Sequence, residues 1–469
     1  MRVQALDAAK ADIRDTDLQE LRASFRGRLI LPSDPQFDEA RRVWNGTIDR
    51  RPALIAQCSG TADVIAAVTL ASRRSLLVAV RGGGHSIPGH SVCDGGLMID
   101  LSAMRGVSVD PRSRTVRAQG GALWGDVDHE CQAFGLATPG GMVSTTGIAG
   151  LTLGGGSQSW LIRKYGNSAD NLLSADVVTA NGELVTANQR ENADLFWALR
   201  GGGGNFGVVT SFEFQLHPVG PLVHAGGAFF LWDRLREVTE FYLDYVKNVP
   251  DELTTALFYW GAPPAPFLPE SIHGKNVAII GLCYAGTIEE GERVVAPIRA
   301  LMPTVDIIGP MPYTALQAMF DPIVPKGTRA YVKSDYFDTI PPAMIDDMVA
   351  WADKKPGALS MARLNHFGGA MSRIAEDATP FPHRRALFAF SPDALWTDPE
   401  ETDANVQWAK GYWQAMRSYS PRGAYVNFMA DEGEDRVRES YRGNYDRLVQ
   451  IKRKYDPGNL FRLNQNIRP

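Results

Sequence analysis

Residues 78–92 read VAVRGGGHSIPGHSV, and the reading of this stretch decides the fold. The apolar run 76–80 predicts a buried strand. It breaks at Arg81 into Gly82, Gly83 and Gly84, followed by His85 and Ser86. Three successive glycines weaken a strand, because each costs backbone entropy and packs no side chain. They do let the main chain approach a ligand with its N–H groups turned inward, a nest suited to a phosphate or pyrophosphate. The spacing is not the dinucleotide fingerprint G-x-G-x-x-G, and no Gly-Lys-Ser/Thr of a phosphate-binding P-loop follows. Taken alone, the same residues also suit a glycine-rich turn carrying a surface histidine.

The flanking sequence places this loop at the end of a β–α–β unit. Residues 52–58 read as a buried strand, and 61–72 as a helix with Ser59 and Thr61 as N-cap candidates. An anion held by the loop would then sit beside the sheet. Residues 1–30 are expected to be helical and peripheral. Downstream, 96–101 predicts a strand, 107–110 and 115–119 a hairpin, and 122–134 an amphipathic helix.

A second glycine region, TPGGMVSTTGIAGLTLGGG over 138–156, is threaded with Met142, Val143, Ile148, Leu151 and Leu153. Flexible linkers favour serine and polar residues, so this apolar loop is better suited to lie against a flat aromatic cofactor. Residues 174–180 and 183–186 form a hairpin about Asn181-Gly182. Over 194–214 a short helix, a third glycine loop (201–207) and a strand follow. Past Pro218 the glycine clustering ends. Residues 229–246 and 341–354 predict helices, and 277–284, 327–332 and 362–367 predict strands. The helix 447–454 is expected to present a solvated basic face.

Composition sets outer bounds. The 469 residues are 44% hydrophobic and 22% charged, ordinary for a globular chain with two or three cores. A net charge of −5 advertises no basic face for nucleic acid or an anionic membrane. The four cysteines, Cys58, Cys93, Cys131 and Cys283, show no metal-binding spacing, and no metal is expected. No apolar run is long enough to span a bilayer, and the polar N-terminus does not resemble a signal peptide. The expectation is a cytoplasmic protein, monomer or homodimer, with reduced thiols.

Arg81-Gly-Gly-Gly-His85-Ser86, followed by Cys93-Asp-Gly-Gly-Leu-Met-Ile-Asp100-Leu101-Ser102, resembles the flavin-binding loop of berberine bridge enzyme-like oxidases, within the vanillyl-alcohol oxidase flavoprotein class. The likeness covers nearly the whole chain and is strongest over 40–216 and 420–469. Bacterial natural-product members such as the enterocin-pathway flavoenzyme look nearest. The fold implied is α+β: a two-part FAD-binding domain (1–218 and the returning segment 421–469) with an inserted α+β substrate domain (219–420), an antiparallel sheet covered by helices. The resemblance implies FAD joined by one covalent bond to His85. Val143 stands where doubly linked members carry a cysteine. Cofactor contacts are implied for Arg81, Gly82, Gly83, Gly84, His85, Ser86, Gly89 and His90 in the first loop. In the second they are Pro139, Gly140, Gly141, Val143, Thr145, Thr146, Gly147, Gly150, Leu151, Gly154 and Gly155. Gly207, Val208, Val209, Tyr425, Asn427 and Asn464 complete the set.

The catalytic base is less well defined. Where many relatives carry a tyrosine after the Tyr-x-Asn pair, this chain has Phe428. Where others carry a carboxylate, the strand expected at 387–391 has none, and Arg363 takes the place of a glutamate before Gly368-Gly369-Ala370. The polar candidates are Arg363, Asn365, His366, Tyr425, Asn427 and Thr146. Strand alternation puts Arg363 and Asn365 on one face and His366 on the other. Arg363 facing the flavin would suit an anionic or enolate-like substrate. Three readings follow: an oxidase acting on an alcohol, amine or activated C–H of a small secondary-metabolite substrate and passing electrons to O2 to give H2O2; a monooxygenase using an oxygenated flavin, for which Val143, Thr146 and Leu151 match the enterocin-type relative; or a non-catalytic flavin binder.

Overall fold

The computed structural model describes residues 1–6, 10–264, 268–420, 423–430 and 432–469. The boundary expected at 420/421 abuts residues outside those described, as do parts of the expected N-terminal helix.

The chain begins with a two-stranded ribbon, Arg2–Gln4 against Lys10–Asp12, then the helix Asp15–Ser24 and the strand Arg28–Ile30. The all-helical expectation for 1–30 is therefore corrected. Arg28–Ile30 pairs with Leu54–Gln57 and becomes the edge of a four-stranded sheet. Within that sheet Leu54–Gln57 and Val78–Arg81 do not touch; Leu97–Asp100 lies between them, parallel to both. The helix Thr61–Arg73 crosses over this extra strand position. Neither Ser59 nor Thr61 caps it: Gly60 is the N-cap, and the Asp63 carboxylate instead collects the N–H groups of Ser59, Arg26 and Gly27.

A second, antiparallel sheet of five strands includes the hairpins Val107–Asp110/Thr115–Gln119 and Leu172–Val178/Leu184–Asn188, joined through Val208–Gln215. Its core also takes in Val426, Met429, Tyr441, Leu448 and Ile467, so the last segment packs against strands more than 200 residues earlier in the chain. The helix Tyr445–Tyr455 has one exception to its expected solvated face. Lys452 is fully buried: its Nζ donates to Asn205 O at 2.7 Å and Phe461 O at 2.9 Å, and pairs with Asp456 at 2.6 Å.

Residues 222–396 build a nine-stranded sheet whose recorded pairings are all antiparallel. Phe229 and Phe230 belong to its strand Leu222–Leu231, and the helix starts only at Leu235. A short apolar run cannot by itself tell a strand from a buried helix segment. One face of the central strands (Ala362, Leu364, Phe390, Ala394) is buried under helices Pro342–Ala352 and Thr402–Arg417, through Met344, Met348, Trp408 and Tyr412. The opposite face looks toward the glycine loops.

Candidate active site

Arg81 and Asp100 end adjacent parallel strands and face each other in register. The guanidinium grips the carboxylate with both arms, Nε–Oδ1 at 2.8 Å and Nη2–Oδ2 at 2.5 Å, and also donates to Ala40 O at 2.6 Å. Burial alone would push the Asp100 carboxyl up; the Arg81 hydrogen bonds and charge outweigh it and hold it below the ordinary carboxylate range. Arg81 is thus the anchor from which the first glycine loop springs, turned away from the cavity described next. At the far end of that loop, a Cβ on Gly83 would lie 2.5 Å from the Cα and N of Gly147. The first and second glycine loops therefore touch backbone to backbone.

The three glycine loops, the sheet face and the C-terminal segment enclose a mainly apolar cavity of about 360 Å³. Its wall includes Gly82, Gly83, Gly84, His85, Ser86, His90, Gly141, Val143, Thr146, Gly147, Gly150, Leu151, Gly207, Val208, Val209, Tyr425, Asn427 and Asn464 from the expected set. It also includes residues with no sequence signal: Trp44, Ser91, Gln158, Tyr441 and Asp393. On the wall Ser91 Oγ, Gln158 Oε1, Tyr441 OH and Asn464 Oδ1 are buried without a hydrogen-bond partner. Such atoms are costly unless something else completes them. At Gly150 a Cβ would meet nothing within 4 Å, and at Gly204 only Asn464 Nδ2 at 4.0 Å. Main chain there faces open cavity.

His85 is half-buried on the loop. Its ring stacks on Trp44 with centroids 5.0 Å apart, and its Nε2 lies 3.0 Å from Thr145 Oγ1. Desolvation lowers its pKa to about 4, so the imidazole is neutral at physiological pH. Trp44 is fixed in turn by its indole N–H on Val324 O at 3.1 Å.

The opposing wall comes from the sheet. Across neighbouring strands run two rows in register, Val332–Asp393–Met361 and Phe258–Arg363–Ser391. Arg363 and Asp393 meet diagonally, Nε–Oδ2 at 2.8 Å, with the Arg363 guanidinium 5.3 Å from the Phe428 ring centroid. Ser391 Oγ donates to Asp393. Burial pushes the Asp393 carboxyl up against the pull of Arg363.

The expectation that this strand lacks an acid is corrected. The strand runs Phe388–Trp396, straight through Pro392. Proline argues against a central strand because it cannot donate to the ladder. Here the neighbouring chain is itself interrupted between Arg329–Val332 and Asp335–Phe337, so no partner carbonyl is forfeited. Lys333 O in that gap lies 2.9 Å from Ser391 Oγ, an alternative acceptor to Asp393 for its single proton.

Tyr425 and Asn427 sit in a short 3-10 turn, and Asn427 Nδ2 donates to Tyr425 OH at 2.9 Å and Leu151 O at 3.3 Å. Burial raises the Tyr425 phenol to about 12, so it stays protonated. Several expected residues lie behind the wall instead of on it. A Cβ at Gly154 would strike Asn427 Oδ1 at 2.2 Å, at Gly140 the Trp124 ring at 2.7 Å, and at Gly89 Ile48 at 2.7 Å. These glycines, with Gly155 against Phe381, make room for neighbours. Pro139 is buried behind the wall, and Thr145 reaches the site through His85. Asn365 is buried beyond the cavity with neither side-chain polar atom partnered. His366 is on the helix side as alternation requires, 3.3 Å from Arg163 Nη1, and burial with that cation lowers it to about 3. No helix among the described residues is long and apolar enough to cross a membrane.

Comparison with known proteins bears on the same regions. Residues 52–188 match the FAD binding domain family and residues 424–468 the family described as berberine and berberine like. An FAD-linked oxidoreductase of Dictyostelium discoideum is 32% identical over 458 residues, 96% of this chain and 97% of that one. The (R)-6-hydroxynicotine oxidase of Paenarthrobacter nicotinovorans is 30% identical over 470 residues, 95% of this chain and 97% of that one. Among solved structures, 6-hydroxy-D-nicotine oxidase from Arthrobacter nicotinovorans matches with a TM-score of 0.83 at 29% identity, over 95% of this chain and 98% of that one. Physcomitrella patens BBE-like 1 matches with a TM-score of 0.85 at 25% identity, over 96% and 99%. The residues present fit FAD: open main chain at Gly150 and Gly204 that a diphosphate can approach, unpartnered polar atoms for its hydroxyl groups and ring edge, and apolar walls for the ring. Glycine loops that meet backbone to backbone, a cavity they share with Tyr425 and Asn427, and relatives matching along almost the full chain lead to one assignment: this chain belongs to the berberine bridge enzyme-like family of FAD-linked oxidoreductases.

Proposed function

We propose that the chain is an oxidase that carries FAD on His85 through a single bond to the 8α-methyl carbon. It would act on an alcohol, amine or activated C–H of a small organic molecule of secondary-metabolite type, with O2 as acceptor and H2O2 as product. The observation that supports this most is the state of His85: neutral, fixed between Trp44 and Thr145, and on the cavity wall. A neutral imidazole nitrogen has the lone pair such a bond requires. Val143 offers no thiol for a second link.

Bound FAD supplies a two-electron acceptor that dioxygen can regenerate. The chain supplies the rest. Arg81 and Asp100 hold the loop that carries His85. Asp393 is the carboxyl on the wall that could receive a proton from the substrate, and the Arg363 charge beside it opposes the upward push of burial. Tyr425 and Asn427 present a fixed phenol and amide. Residues 1–218 with the returning segment from 421 would form the cofactor unit and 219–420 the substrate unit. The shared core of the five-stranded sheet and the C-terminal helices supports this division.

A second reading, an oxygen-inserting monooxygenase, rests on Val143, Thr146 and Leu151, which all reach the cavity. Acid-precipitated protein should stay yellow, and His85→Ala should release its flavin on precipitation. A wild-type flavin that washes out under denaturing conditions would refute the linkage. Peroxide formed per substrate consumed separates the two reactions: one for one favours the oxidase.

A further inference from the structure

We infer that the substrate of this site is a neutral apolar alcohol or phenol, and that the Arg363–Asp393 pair selects it against carboxylates, ammonium compounds and zwitterions. The inference rests on the oxidoreductase reading of the cavity and narrows it.

Arg363 and Asp393 are the two Arg, Lys, Asp or Glu side chains among the described residues lining the cavity. Paired at 2.8 Å, with 12% and 6% of their side chains exposed, they cancel. Arg363 read from sequence alone invites an anion; with Asp393 at its side that invitation is withdrawn. A substrate carboxylate drawn to Arg363 would also meet the Asp393 charge, and an ammonium group drawn to Asp393 would meet Arg363. In a site this dry, either repulsion is poorly screened. A zwitterion would have to shed water from two charges to replace a pair already made.

What the pair leaves on offer is hydrogen bonding. Arg363 can only donate and ionised Asp393 can only accept, so a group that both accepts and donates answers them together. A hydroxyl does so without bringing a charge. The surroundings set the body of the molecule. Trp44, Val324, Met361 and Leu395 form one apolar cluster around the pair, and Phe428 covers Arg363. Burying matched apolar surface there contributes roughly 25 cal/mol per Å², whereas a second charged group would be buried without a partner.

The test uses the flavin-loaded protein and four probes on one skeleton: 2-naphthylmethanol, 2-naphthoate, 2-naphthylmethylammonium and 2-naphthylglycine. Dissociation constants are measured calorimetrically without oxygen, on samples whose flavin content is read from absorbance. 2-Naphthylmethanol should bind at least ten-fold more tightly than each charged probe. Arg363→Met, which leaves Asp393 uncompensated, should reorder the series toward the ammonium; Asp393→Asn should reorder it toward the carboxylate. The wild-type order stands as a test even if a variant fails to fold. A charged probe that equals the alcohol, folded variants that leave the order unchanged, or no binding by any of the four at millimolar concentration each overturn the inference. Alcohol binding in the expected order with no flavin bleaching by any alcohol would instead count against the oxidase reading alone.

Discussion

Gly83 and Gly147 stand so close that a side chain on either would enter the backbone of the other: a Cβ on Gly83 would lie 2.5 Å from Gly147 Cα, and one on Gly147 2.4 Å from Gly83 N. Neither obstacle is a flexible side chain that could swing aside. Gly83→Ala should therefore push the two loops apart, costing about 1–3 kcal/mol as overpacking does. Because both loops line the cavity, flavin bound per mole of purified protein should fall more steeply than the unfolding midpoint. Full flavin loading in Gly83→Ala would show that the two loops have slack.

The buried Asp128 makes a distinct pH signature. Desolvation raises its carboxyl to about 7, with Gln317 Nε2 donating at 3.0 Å as the opposing influence. Tyr313 and Cys131 face it, both themselves pushed up by burial and by its charge. The folded state thus holds a proton that the unfolded chain releases near the usual carboxylate pKa of about 3.9. Stability from this group is present at low pH, declines as pH rises from about 4, and levels off above about 7. Asp128→Asn should show a melting temperature advantage that grows over this window and then stays constant. An advantage independent of pH would remove Asp128 from the explanation.

Lys452 and Asp456 form a buried pair with both side chains fully covered. Asp456 also accepts from the N–H groups of Leu460 at 2.7 Å and Phe461 at 2.9 Å. Lys452→Met leaves that carboxylate uncompensated and frees the Asn205 and Phe461 carbonyls, so it should destabilise by about 3–5 kcal/mol. Chemical denaturation measures this. The double variant Lys452→Met/Asp456→Asn should recover part of the loss, since removing both charges costs less than stranding one.

Thr146 reaches the cavity between the loops, beside Val143. Small apolar and hydroxyl groups leave room for a molecule the size of oxygen. Thr146→Leu should slow reoxidation of the reduced flavin by roughly ten-fold, about 1.4 kcal/mol of barrier, and leave anaerobic reduction by substrate nearly unchanged. Stopped-flow traces of the two half-reactions check this; equal slowing of both would assign Thr146 to substrate placement or packing.

The parts of the site legible in sequence were those with a backbone reason to be there. Three glycines before His85 predict close approach of the main chain to a ligand; at Gly83 the close neighbour in the structure is instead the backbone of Gly147. Strand alternation alone puts Arg363 and His366 on opposite faces, and in the structure Arg363 lines the cavity while His366 lies against Arg163. Asp393 was hidden because proline at 392 ends a strand in most contexts, and only a gap in the neighbouring strand makes it harmless here. Lys452 looked like solvent-facing charge; its partners, Asn205 and Phe461, are set by tertiary contacts that helical spacing does not encode. Gln158, Tyr441 and Trp44 carry no local motif, and each joins the wall through tertiary contacts that its own stretch of sequence does not encode.

The Lys452 contact with Asn205 spans 247 residues, and Asn464 Nδ2 reaches Gly204 O across 260. Both clasp the third glycine loop, whose own sequence leaves a ribosome long before they do. A nascent chain could build the four-stranded sheet and still have no closed chamber, because one wall would not yet have been made. A chain cut before residue 424 should therefore bind little flavin, since it lacks the contacts that Lys452 and Asn464 make with the third loop. At the usual pace of about 5–20 residues per second, the first loop waits tens of seconds for the segment that seals it.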